Sequence, residues 1–479
     1  FCPDADCPFT SALPVQVVDE GIYENPPTML VATVDKLARL AWIDEGGRLF
    51  GATGVADPPS LLIQDELHLL SGPLGTIVGV YEAAISTLLK WRDGRGPKVI
   101  ASTATTRAST RQVKELMGRP RVEAFPPAGL DSDENHFSEP DPDAAGRVYL
   151  GLMPQAHTPS WAIGQLATEI LDAPDAVGLD GPAKDAYWTL VVYHNSLREL
   201  GRTVTILRDD ASANLARREV NEGRSRHMAT DGIEELNGNV SSADLVGLLE
   251  RLKLHAGESG QIDALATTNI MSVGIDVTRL GLMLVNGQPK TTAEYIQATS
   301  RVGRGKTPGL VVTMFRSGKP RDRSVFESFG AFHRSYYRYV EPSSVTPWSM
   351  QARRRALHAA LVILVRHAVG LNANSDAHRF DPDDAKVKRA IELLKAHVAA
   401  ADEREPDTVA KEIDEAVREW TELRAAAQKE GIQLSYSSRR PEERLMRQFD
   451  QDGRGWPVMN SMRAVDRVVK VRANGERRG

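Results

Sequence analysis

Short apolar runs that stop abruptly at acidic or hydroxyl-bearing residues constrain this chain more than any other feature. LLI at 61–63 runs into Gln64, Asp65 and Glu66, and VIA at 99–101 runs into STAT at 102–105. MLVA at 29–32 is a third such run, and it leads into a helical pattern carried by Val34, Leu37, Ala38 and Ala41. Continuous apolar runs too short for a helix are what strands buried on both faces require, and helical segments such as 107–117 supply the crossovers. The expected fold class is α/β with parallel sheets, whose ligands sit at the carboxyl ends of the strands.

From 125 to 146 the chain turns rich in Pro, Asp and Glu with no apolar period, which predicts a connection. Beyond it, TLVVY at 189–193, TVTI at 203–206, DALA at 263–266, LMLV at 282–285 and LVVT at 310–313 read as strands of a second α/β unit. After about residue 316 the period is helical, and amphipathic segments at 385–400 and 408–429 predict solvated helices that pack along one face. The expected organisation is a partial first lobe over 1–125, a connection over 126–184, a second lobe over 185–316 and a helical region over 317–479.

With 41% hydrophobic and 26% charged residues in a length of 479, the composition supports a buried core. A formal charge of -5 provides no general cationic field, so contact with nucleic acid needs a local groove. The apolar stretch at 357–369 is interrupted by His358, Arg366 and His367, and none of these runs predicts a membrane span. Two cysteines cannot build a disulfide framework, which fits a reducing cytoplasm.

Asp65, Glu66, Leu67 and His68 follow a buried-looking strand, where an unpaired carboxylate is costly. A divalent metal offsets that cost: Asp65 would hold Mg²⁺, and Glu66 would polarise a water attacking a γ-phosphate. Ser102, Thr103 and Thr105 offer hydroxyls, either to cap a helix or to bridge the acidic pair to a second site. In this order the tetrad and the hydroxyl run resemble motifs II and III of superfamily 2 helicases. TVDK at 33–36 stands where that family touches a nucleic-acid backbone, through Thr33 and Lys36; its plain alternative is a cap on the following helix.

TTNIMSVGID at 267–276 resembles motif V of the same family, with Gly274 and Asp276 carrying the match. EYIQATSRVGR at 294–304 resembles motif VI, in which Arg301 and Arg304 would stabilise charge on transferring phosphate oxygens. Many family members carry Arg and Gly where this chain has Ala298 and Ser300. GKT at 305–307 is not a phosphate-binding loop, because the first glycine of that pattern would fall on Ser300 and Pro308 stops the required helix.

Longer strings narrow the resemblance: LPVQVVD at 13–19, QDELHLLSGPLG at 64–75, GQPKTTAEYIQ at 287–297, YVEPSSVTP at 339–347 and NSMR at 460–463. They look like the large helicase of DISARM-type bacterial phage-defence systems. This resemblance implies two RecA-like lobes, the first truncated, and a mostly helical carboxyl-terminal region. It implies ATP and Mg²⁺ at Asp65, Glu66, His68, Gly274, Asp276, Gln297, Arg301 and Arg304. DNA, single-stranded or as a tailed duplex, would meet Thr33, Lys36, Ser102, Thr103 and Thr268, and a second defence-system protein would be a partner. The phosphate-binding loop would then lie in a part preceding Phe1.

In that setting Cys2 and Cys7 are either half of a Zn²⁺ site completed from upstream or two unmodified thiols. The aromatic and basic run from Arg316 to Tyr339 either stacks bases or packs into a core, and Arg353, Arg354 and Arg355 form either a solvated face or a DNA contact. Against an ATP-driven helicase stands a non-catalytic nucleic-acid-binding or scaffold subunit with vestigial motifs.

Overall fold

A computed structural model describes the chain apart from residues 1, 5, 55, 104–108, 128–133, 138, 140, 145, 223–225, 270–275 and 464–479. It divides into two compact units: unit 1 takes Phe1–Ala104, Ala108–Phe125 and Pro342–Gly479, and unit 2 takes Thr105–Arg107 and Pro126–Glu341.

Unit 1 begins with α1 (Asp19–Glu24), a 3-10 segment Val34–Ala41, β1 (Leu61–Gln64), α2 (Gly72–Lys90), β2 (Lys98–Ala101) and α3 (Ser109–Met117). The two strands pair in parallel, with Leu61 opposite Lys98 and Gln64 opposite Ala101, so both apolar runs end at the same edge. Helix α2 is predominantly apolar, and every residue from Ile77 to Leu89 is buried. By length and composition alone it would cross a bilayer, yet 78% of its apolar window is covered by the protein itself. MLVA at 29–32 forms no strand and leaves Met29 and Val31 exposed, because no strand pairs with it among the described residues.

Unit 2 contains β3 (Arg147–Leu152), α4 (Pro159–Ala176), α5 (Gly181–Ala186), β4 (Leu190–His194), α6 (Leu197–Ile206), α7 (Ser212–Glu222), β5 (Ile233–Leu236) and α8 (Ser242–Lys253). It continues with β6 (Ala264–Thr267), β7 (Leu282–Asn286), α9 (Thr292–Thr299), β8 (Gly309–Met314), α10 (Pro320–Glu327) and α11 (Phe329–Arg334). The strands form one parallel sheet in the order β3-β8-β7-β4-β6-β5. Every residue of the central β4 and β7 is buried, as continuous apolar runs require.

Two expectations are corrected here. Residues 126–184 are not simply a connection: β3 extends the sheet and α4 packs on it, an edge strand masked in the sequence by the polar stretch before it. TVTI at 203–206 is helical, because Ser196 caps α6 by accepting from Glu199 N–H and the apolar positions Leu200, Val204 and Leu207 fall on one buried face.

The chain then returns to unit 1 as α12 (Met350–Leu364), α13 (Ala385–Ala401), α14 (Pro406–Lys429), β9 (Met446–Gln448) and β10 (Trp456–Val458). Residues 317–479 are thus not one region: 317–341 complete unit 2, and from Pro342 the helices share one core with α2. A Cβ on Gly79 of α2 would sit 2.4 Å from Pro347 Cγ, so glycine permits this close approach. Arg353 is neither a solvated residue nor a DNA contact. It is buried in α12, with Nε 2.7 Å from Glu412 Oε2 and Nη2 2.8 Å from Glu412 Oε1 on α14.

Candidate functional site

In unit 1 the site is built where β1 and β2 end. Ser102 N–H donates to Gln64 O at 2.9 Å and Leu67 N–H donates to Ser102 O at 2.9 Å, so the ladder continues one step past the strands. That step brings the Ser102 hydroxyl onto Asp65 Oδ1, which also accepts the Glu66 N–H at 2.9 Å. The hydroxyl first and the amide second hold the exposed Asp65 carboxyl below its ordinary range, so it is ionised. An ionised carboxylate whose Oδ2 takes no hydrogen bond among the described residues is a fitting oxygen ligand for Mg²⁺.

Glu66 has φ 50° and ψ 47°, the one non-glycine residue with positive φ among those described. That conformation costs roughly 1–2 kcal/mol for a residue with a Cβ, and it turns the chain sharply after Asp65. Glu66 Oε2 lies 3.4 Å from His68 Nδ1, and Thr103 Oγ1 lies 3.4 Å from the same nitrogen. The hydroxyls after β2 therefore bridge to the acidic tetrad. Beneath the turn, the buried Gln112 donates from Nε2 to Leu67 O at 3.1 Å and Leu70 O at 2.8 Å. Sequence reading missed Gln112 because a glutamine on a helix carries no signal until its partner is known.

In unit 2, Arg304 Nη1 lies 2.7 Å from Asp276 Oδ1, and its Nε donates to Ser300 O at 3.0 Å. Motifs V and VI thus meet through an ion pair. Gln297 is buried on α9 and Arg301 is half-buried in the turn after it. Arg147 of β3, another residue the sequence did not signal, braces that turn through Nε to Val302 O at 2.7 Å and Nη2 to Ser300 O at 3.1 Å. Residues 301–308 turn directly into β8 rather than into a helix, consistent with the rejection of GKT as a phosphate loop.

Thr268 is buried at the end of β6. Gly274 lies outside the described residues. Thr33 precedes the 3-10 segment without a side-chain capping bond, and Lys36 is paired with Asp19 at 2.8 Å, so these two are not joined to the acidic tetrad by any described bond. Between them, Asp35 accepts from Ser461 Oγ at 3.0 Å and Met462 N–H at 2.7 Å, which ties TVDK to NSMR across the chain. Cys2 and Cys7 are free thiols, and no group of three metal-ligating side chains forms among the described residues, so the zinc expectation gains no support.

Residues 216–306 match the helicase conserved C-terminal domain. Over these residues the chain is similar to helicases. DISARM protein DrmA of Bacillus paralicheniformis (strain ATCC 9945a / NCIMB 11709 / CD-2) is 33% identical over 514 aligned residues, covering 97% of this chain and 45% of that protein. The chain thus spans less than half the length of this curated relative. Among solved structures, the DUF1998 helicase MrfA bound to DNA superposes with TM-score 0.51 at 16% identity, over 73% of this chain and 41% of that one. The Mycobacterium smegmatis helicase Lhr bound to ssDNA and AMP-PNP gives TM-score 0.47 at 16% identity, over 80% and 47%. The MrfA likeness is one of fold.

Proposed function

We propose that this chain is part of an ATP-driven translocase or helicase acting on DNA in anti-phage defence, alongside a second defence protein. The observation that carries the reading is the clasp of Ser102 and the Glu66 amide on Asp65, which holds an ionised carboxylate at the carboxyl end of a parallel strand. Mg²⁺ bound with ATP would offset the negative charge of the phosphate oxygens, and Asp65 is the residue that would hold it. Glu66, at the left-handed turn and set against His68, would orient the attacking water and accept its proton.

In unit 2, Arg301 and Arg304 would supply cationic charge to the phosphoryl group in flight. Arg304 is held by Asp276 in the structure, so it would exchange that carboxylate for phosphate oxygens. DNA and ATP are supported by the helicase match and by the motifs, and the defence role by the likeness to DrmA.

The test is DNA-stimulated ATP turnover by the intact protein. Glu66→Gln is expected to abolish turnover while ATP still binds, and turnover equal to wild type would sink the assignment. Arg304→Ala is expected to slow turnover about 100-fold or more. An intact wild type that binds DNA but never hydrolyses ATP would favour the scaffold reading instead.

A further inference from the structure

Outside the motifs, unit 2 carries a strip of exposed rings and cations. At one end Trp161, 49% exposed at the start of α4, stacks on His157 with ring centroids 3.8 Å apart. His157 and Lys319 line a common cavity of about 210 Å³ at the carboxyl ends of β3 and β8. Two residues on, Arg321 pairs with Glu341 at 3.1 Å, which brings the start of α10 beside the 3-10 segment Tyr336–Tyr339. There Tyr337 and Tyr339 are 59% and 51% exposed. Their neighbours Phe332 and Tyr336 pack inward, with Phe332 5.4 Å from Tyr339 and Tyr336 4.7 Å from Tyr337 between ring centroids. The outer two rings are therefore held in place by inner ones.

Charge points the same way. From Arg316 to Glu341 there are six Lys or Arg against three Asp or Glu, in a chain whose formal charge is -5. Lys319 and Arg334 are exposed and, among the described residues, form no direct salt bridge, although Lys319 is near enough to Glu199 to help lower its pKa. The strip is also fastened to the helix that leads into motif VI. Glu341 accepts from Thr292 N–H at 2.8 Å, and the Tyr295 hydroxyl meets His333 Nε2 at 2.9 Å, both partners lying on α9.

We propose that this strip binds single-stranded DNA, with bases stacking on Trp161, Tyr337 and Tyr339 and phosphates meeting Lys319 and Arg334. Exposed rings accept any base face, and exposed cations follow a phosphate backbone, so the site is tolerant of sequence. Its attachment to α9 lets strand engagement at the strip bear on the turn that carries Arg301 and Arg304. This proposal rests on the DNA reading above.

The experiment is binding of fluorescein-labelled oligo(dT) to the protein by anisotropy, across a salt series. Trp161→Ala and the double variant Tyr337→Ala/Tyr339→Ala are each expected to weaken binding about tenfold or more, and the corresponding Phe variants to retain it. Lys319→Ala should reduce the slope of log affinity against log salt by about 0.7. Alanine variants that are folded by circular dichroism and bind as wild type would overturn the strip while leaving the DNA reading intact. Wild-type protein that binds no oligo(dT) would overturn both.

Discussion

At the scale of single residues, the acidic tetrad works through hydrogen bonds that its own side chains do not announce. The Ser102 hydroxyl is the main cause of the lowered Asp65 pKa, so Ser102→Ala should raise that pKa toward its usual value. A carboxyl NMR titration checks this, and an unmoved Asp65 would show that the clasp is not what lowers it. Glu66 sits in the left-handed region at φ 50°. Replacing it with glycine should relieve strain and raise stability by up to about 1 kcal/mol while eliminating turnover. Thermal melts of Glu66→Gly beside an ATPase assay test both halves. The residue types and their order were legible in the sequence, whereas the strained turn and the Gln112 brace depend on which strand ends lie side by side.

At the scale of elements, the turn after α9 depends on a glycine. Gly303 has φ 67°, and a Cβ there would lie 2.5 Å from Gly309 N and 2.6 Å from Gly309 Cα at the start of β8. Gly303→Ala must therefore push the turn away from the strand, with a cost of roughly 1–3 kcal/mol and displacement of both arginines. A lowered melting temperature together with weaker ATP turnover is the expected result.

Among the helices of unit 1, Glu412→Ala would strip buried Arg353 of its two-pronged partner on α14 and leave it Glu405 and the Trp348 carbonyl, at a cost of roughly 1–3 kcal/mol. Chemical denaturation reads that loss directly. These helices also bury three imidazoles. Burial drives His358 and His367 down to about 4 and His397 down to about 3, from an ordinary 6.5. Their neutral forms favour the fold fully above pH 6.5, and that stability is lost as pH falls toward 4. Glu82 acts in the opposite sense. Burial in α2 raises it to about 7, so its contribution is present below 4.5 and fades as pH rises through 7. Calorimetry between these limits should show the melting temperature climbing from pH 4 to 6.5, and Glu82→Gln should steepen that climb above pH 4.5 and remove the decline toward pH 7.

At the scale of the whole molecule, unit 1 is assembled from both ends of the sequence around α2, and unit 2 comes mainly from the intervening stretch Pro126–Glu341. Residues 126–341 expressed alone should fold cooperatively, whereas 1–341 should aggregate because α2 loses the cover of α12 and α13. Equal solubility and equal melting of the two would contradict that arrangement. The sequence by itself determined the α/β class, the parallel strands at 61–63, 99–101, 189–193, 263–266, 282–285 and 310–313, and the order of the helicase motifs. Such features are local: a buried parallel strand writes itself as an apolar run, and a phosphate-handling loop as a short set of charged and small residues. Tertiary structure alone decided that β3 joins the sheet, that 203–206 is helical, and that the helices after Pro342 complete the core around α2. It also decided that Arg353, Arg366 and His367 are core residues. Arg366 reaches Ala41 O at 2.9 Å and His367 Nε2 reaches Leu40 O at 2.8 Å, contacts that span most of the chain. A polar residue in an apolar helix reads the same whether it faces water or a distant carbonyl, and only the folded chain supplies the partner that makes its burial affordable.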